Sequence, residues 1–231
     1  MVDFAGTLLT LALIVFVVGS LLTFMELPRG AKVWLAGLVG LWVGLAAAAA
    51  AAGWVAIPRP VPVIGFFVVT PLIAAALFAR RALMSLPLSL MIGLNVGRVF
   101  AFLFLMLEAQ GRLSGPFPFS AAWGDIITGL AAVPMLWLAR DPVRNALALH
   151  GWNLFGLADL VAAIALGVVS SEGSPLQVFA APGSAAMTTL PWSFVPTVLV
   201  PIWMILHGVI FAQLRRATSS RDLSPRSPAR G

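Results

Sequence analysis

The chain has no cysteine, no tyrosine and two histidines, and only 10% of its residues are charged. Each shortage removes a class of function. Without cysteine there are no disulfides, no thiolate metal sites and no cysteine nucleophile. The single lysine, Lys32, falls at the end of an apolar run, which excludes a Schiff base in mid-membrane. The absence of tyrosine passes the interfacial aromatic role to tryptophan, and Trp34, Trp54, Trp123 and Trp192, near the ends of apolar runs, read as interface anchors. There is no GxxxxGK[ST] phosphate loop and no HExxH zinc-protease motif. Serine, histidine and aspartate occur without the spacing of a nucleophile elbow.

What is present is apolar: 61% of 231 residues, against a charged fraction well below the quarter or so usual in soluble domains. A globule in water has to expose part of such a surface, whereas lipid removes that restriction, and long apolar runs read as spans. The expected fold is an all-α polytopic transmembrane helix bundle. Its seven spans lie at about 4–25, 33–56, 63–79, 86–107, 123–138, 145–169 and 190–211. The first run carries Asp3 and no basic residue ahead of it, so it reads as a retained span rather than a secretory leader. Pro58-Arg59-Pro60-Val61-Pro62 reads as a turn and Ser114-Gly115-Pro116-Phe117-Pro118-Phe119 as a loop. A long Ser/Gly/Pro/Ala-rich connection occupies 170–189. Residues 1–214 form the membrane domain, and 215–231 read as a disordered basic cytoplasmic tail.

Basic residues alternate between the connecting segments. Arg29, Lys32, Arg80, Arg81, Arg140 and Arg144 fall on one set, with the five arginines of the tail, and only Arg59 and Arg112 on the other. The positive-inside rule then puts the N-terminus outside and the C-terminus in the cytoplasm. A net charge of +6 raises the question of nucleic acid. Its placement at span ends instead fits an anionic membrane surface, and no nucleic-acid partner is expected. The Ala/Arg-rich composition points to a bacterial inner membrane.

Ionisable groups inside spans are costly and face the protein interior or a water cavity. Counted at about 1.5 Å per residue, Arg98 lies roughly 20 Å from the basic end of span 4. On the same count Asp125 and Asp159 lie roughly 22 Å from Arg140 and Arg144. One cation and two carboxylates thus share a level, with Asn95 and Glu108 on the same flank of span 4. Such a cluster either locks helices together or lines a cavity that binds or transports a small molecule or protons. The candidate substrate-binding residues are therefore Arg98, Asp125, Asp159, Asn95 and Glu108.

His150 and His207 form a second polar level, about 9 Å inward from Arg144 and 12 Å inward from Arg215. Interhelical hydrogen bonds are their plainer role, with Asn153 a turn from His150 as a partner. The alternative is a metal site, a haem b held by both imidazoles; two ligands are too few for structural zinc. His150 and Asp159, nine residues apart at about 100° each, face opposite sides of span 6. Finally, Ala36, Gly40, Gly44, Ala48 and Ala52 put small residues on one face of span 2. That face allows close helix contact, and Gly40 and Gly44 are the candidate contact to a second copy or a membrane partner, as in a non-catalytic accessory subunit. No pattern singles out a reaction.

Overall fold

The computed structural model describes residues 1–56 and 60–222, and among them every regular element is helical. Pro58 and Arg59 of the expected turn lie outside the described residues. Seven helices are long and apolar enough to cross a bilayer: α1 (Val2–Phe24), α2 (Arg29–Ala51), α3 (Pro62–Met84), α4 (Leu88–Ala109), α5 (Pro116–Leu138), α6 (Ala146–Val169) and α7 (Val195–Ser219). At about 1.5 Å per residue each exceeds the ~30 Å hydrocarbon layer. The outward surface is that of a membrane protein, with Phe78 86% and Leu147 89% exposed. Water would not tolerate so much contiguous apolar area.

Polar contacts tie the helix ends into two opposite faces. On the first, Arg112 pairs with Asp3 at 2.7 Å, Trp192 Nε1 donates to Asp3 at 2.8 Å, and the Gly183 amide donates to Ser114 Oγ. On the second, the Glu26 amide donates to Ser85 Oγ and Gln213 Nε2 donates to the Met84 and Leu86 carbonyls. Arg29, Lys32, Arg80, Arg81, Arg140 and Arg144 flank helix ends on this second, basic face. An odd number of spans puts Val2 and Ser219 on opposite faces.

Burial is uneven. Half of the most apolar stretch of α4 and of α7 is buried, against 11% for α2 and α3. Helices α4 and α7 are therefore the most buried, followed by α5, with α2 and α3 at the periphery. Close backbone approach makes the core compact. A methyl on Gly129 of α5 would stand 3.0 Å from the Val99 amide and 3.2 Å from the Asn95 carbonyl of α4, so only glycine lets these two helices meet there.

Two expectations are corrected. Helix α5 starts at Pro116, seven residues before the expected span, so Phe117-Pro118-Phe119 is its first turn and not a loop. The physical reason is that amides of a first turn have no intrahelical partner, and proline there gives up no hydrogen bond. Trp192 is 1% exposed and packs over Gly6. It fastens the α7 approach to α1 and is not an interface anchor, unlike Trp34, Trp54 and Trp123, which are exposed. The last helix continues past Arg215 to Asp222, and residues 223–231 lie outside the described residues.

Three helices depart from regular α geometry. Helix α4 tightens to 3-10 over Asn95–Ala101, and π turns occupy Ala75–Ala79 of α3 and Val195–Leu199 of α7. Pro71 lies within α3, and Pro201 follows the π turn of α7. Each lacks the amide that would bond to the preceding turn, and such irregular turns recur at functional positions.

Candidate functional site

The 3-10 turn of α4 carries Arg98 into the centre of the bundle, where it is 1% exposed. Helices α5, α6 and α7 converge on its guanidinium. Nε donates to Asp125 Oδ1 at 2.5 Å and Nη2 donates to Asp159 Oδ2 at 2.7 Å. Nη1 donates to the Gly156 carbonyl at 3.2 Å and meets His207 Nε2 at 2.9 Å. The guanidinium carbon lies 5.9 Å from the Trp203 ring centre, within cation–π range. All three guanidinium nitrogens are thus engaged, as a fully buried charge requires.

Arginine donates only, so His207 Nε2 must accept. The proton of a neutral ring then sits on Nδ1, which donates to Asn153 Oδ1 at 2.8 Å, while Asn153 Nδ2 donates to the His207 carbonyl at 3.0 Å. The Trp152 ring lies 5.6 Å from that of His207, and Trp152 Nε1 donates to the Thr128 carbonyl. Asn153, Gly156 and Asp159 recur every third residue of α6, which keeps them near one face.

Two glycines make this density possible. A methyl on Gly156 would stand 2.6 Å from His207 Cε1 and 2.8 Å from His207 Nε2 and Thr128 Cγ2. A methyl on Gly124 would overlap the Asp159 carboxylate.

Of the predicted residues, Arg98, Asp125 and Asp159 come together at one point. Asn95 is buried beside them, but its Nδ2 donates back to the Met91 carbonyl and its Oδ1 has no partner. Glu108 makes no side-chain hydrogen bond among the described residues; it shares the flank of α4 but lies ten residues, about 15 Å, further along.

The expected second polar level is corrected for His207. His207 lies six residues, about 9 Å, inward of Gln213 at the basic face, yet its Nε2 is 2.9 Å from Arg98 Nη1, because the long arginine side chain reaches along the bundle to a ring at another backbone depth. Asn153 is its partner and not that of His150. His150 packs edge-on to Phe211 with ring centres 5.4 Å apart, one turn nearer the basic face, since α6 and α7 pair residue 150 with 211 and 153 with 207. The two imidazoles do not share a site, and a metal on His207 would have to displace Arg98 or Asn153. Among the described residues no group of three or more His, Asp or Glu is arranged to hold a metal ion.

Sequence reasoning missed Gly124, Gly156 and Trp203. A glycine next to Asp125 and another three residues before Asp159 were the available signals.

Two cavities border the network. One of 70 Å³ runs from Ser171, Ser184 and Thr188 to Asp125. The other, of 40 Å³, lies between α1, α4 and α7, with Thr10, Arg98, Asp125 and Trp203 on its wall. Each has room for water, which needs about 10–15 Å³. Asp125 borders both; its Oδ1 binds Arg98, and its Oδ2 takes no hydrogen bond among the described residues. Trp203 Nε1 is buried without a partner.

Residues 60–215 match the model of a family described as a domain of unknown function, DUF8737. The chain belongs to that family. No curated protein and no solved structure matches it. The DUF8737 region takes in α3–α7 and with them every member of the Arg98 network, whereas α1 and α2 precede it.

Proposed function

We propose that this multi-pass membrane protein binds and transports protons or another small cationic species through the Arg98, Asp125, Asp159 and His207 network. The observation that carries this reading is the charge count at a buried site. One guanidinium faces two carboxylates and a neutral imidazole, leaving a formal charge of −1 when both carboxylates are ionised. Excess charge in a low-dielectric interior is costly, and a proton or a small cation balances it. Asp125 is the entry group, because it alone among the charged residues borders both cavities. Taking the basic face as cytoplasmic, in a bacterial inner membrane, Asp125 is reached from outside past Ser171 and Ser184.

The test is proton flux into liposomes holding the purified protein and a pH-sensitive dye, under an imposed potential. Flux should fall at least tenfold in Asp125→Asn and persist in Arg112→Leu. Equal flux in wild type and Asp125→Asn would sink the reading. Sidedness follows from labelling: Glu172→Cys and Arg144→Cys, in a chain free of native cysteine, should react from outside and inside respectively.

A second role rests on α2. The positions a methyl would take on Gly40 and Gly44 meet nothing within 4 Å, so the small-residue face is turned outward and unused within the chain. It suits a second copy or a membrane partner. Gly40→Leu with Gly44→Leu should leave the monomer folded and break co-purification in mild detergent; a partner retained by that variant argues against this face.

A further inference from the structure

A larger void than either of the two cavities at the network lies away from it, a cleft of 480 Å³ between α1, α2, α3 and α7. Its size is that of a ligand pocket, about 300–1,000 Å³, and apart from Thr70 its walls are apolar. Trp42 closes it at mid-bilayer. The Trp42 indole donates to the Thr197 carbonyl at 3.1 Å and packs on Phe66 and Phe67 with ring centres 5.4 and 5.0 Å away. From Trp42 the cleft extends along α2 to Leu35, and on α1 it runs from Val18 to Met25. On α3 it reaches from Thr70 through the π turn to Leu83. Seven to thirteen residues at 1.5 Å give about 10–20 Å, the depth of one leaflet of a ~30 Å hydrocarbon layer.

The cleft ends at the basic face. Arg29 and Lys32 lie in the first turn of α2, between the Met25 and Leu35 walls of the cleft, and Arg80 and Arg81 lie between Ala79 and Leu83 near the end of α3. The Glu26 amide and Ser85 Oγ hold the turns beside these residues together at 3.3 Å. Glu26 is the one acidic side chain on them, so four cations face one carboxylate. Lys32 Nζ donates to the Thr23 carbonyl; Arg29, Arg80 and Arg81 are exposed.

We infer that this cleft holds one acyl chain of an anionic phospholipid, with the headgroup phosphate among Arg29, Lys32, Arg80 and Arg81. An apolar slot one leaflet deep selects a chain over a free phosphate, and its charged mouth selects an anionic lipid over a zwitterionic one. The small-residue face of α2 is not used: at about 100° per residue, Gly40 and Gly44 point away from Leu35, Val39 and Trp42. The site is independent of the Arg98 network.

Native mass spectrometry of the detergent-purified chain, titrated with dioleoyl phosphatidylglycerol or dioleoyl phosphatidylcholine, tests this. One phosphatidylglycerol per chain should be retained, at least tenfold more tightly than phosphatidylcholine. Arg80→Gln and Arg81→Gln should each lower that preference about fivefold. Ala75→Phe with Ala79→Phe should abolish retention by filling the cleft. A phosphatidylglycerol with a photoreactive acyl chain needs no variant, and on the wild-type chain it should label residues 18–25 and 75–83. Equal retention of both lipids overturns the proposal. So does labelling spread evenly around the bundle, or a dimer that seals the cleft without lipid.

Discussion

Replacing Gly156 with alanine sets two effects of opposite sign against each other. Alanine is favoured over glycine inside a helix by about 1 kcal/mol, which stabilises α6 if nothing else changes. The added methyl, however, would stand 2.6–2.8 Å from His207 and Thr128, where carbon contacts settle near ~3.5–4.0 Å. One side has to yield by about 1 Å. His207 is fully buried and held at both ring nitrogens, by Arg98 and by Asn153, so it has no free direction of retreat. Overpacking of this kind costs about 1–3 kcal/mol. Weakening the Arg98–His207 hydrogen bond adds about 0.5–1.5 kcal/mol. The net expectation is destabilisation of about 1–3 kcal/mol, a fall of roughly 2–12 °C in apparent Tm for a chain of this size. Gly151→Ala is the control. It lies in the same helix, meets nothing within 4 Å, and should be neutral or raise Tm by a few degrees. Thermal unfolding of both variants in one detergent, followed by tryptophan fluorescence, decides the matter. If Gly156→Ala is as stable as Gly151→Ala, the tight approach of α6 to His207 described above is wrong.

Gly124→Ala should be more damaging than Gly156→Ala in the same assay, because its methyl would coincide with the Asp159 carboxylate. Arg98→Leu strands two carboxylates in the core and should cost about 3–5 kcal/mol. Arg112→Leu breaks a pair whose side chains are 33% and 56% exposed, worth about 0–1 kcal/mol; similar melting of the two variants would remove the case for a buried network. In ¹⁵N spectra His207 should show a protonated Nδ1 and a bare Nε2, and the opposite tautomer would reverse the hydrogen bonding assigned to Arg98. The purified chain should lack a Soret band, and a band that disappears in His207→Ala would return the haem alternative to consideration.

The seven spans were readable because a helix in lipid satisfies its own backbone, so that each span must announce itself as a long apolar run whatever its neighbours. The shared depth of Arg98, Asp125 and Asp159 was readable for a related reason. A regular rise converts residue count into depth, and three residues at one depth in a small bundle have few other ways to be satisfied. The same count missed His207 as a partner because it measures backbone depth, and the long Arg98 side chain reaches along the bundle to an imidazole at another depth. It also failed at Pro116, where two prolines read as a loop although a first helical turn accepts them.

Composition and spacing thus determined a multi-pass helical bundle with an ion pair inside it. Only the tertiary structure decided which groups complete that pair. Whether Gly124 and Gly156 admit a carboxylate and an imidazole depends on the rotation of α5 and α6 about their axes, and on how closely α4 and α7 approach. Those quantities are set by packing between helices and are not written in the hydropathy of any one of them. The same packing made His207 a partner of Arg98, left His150 beside Phe211, and opened a leaflet-deep cleft behind Trp42.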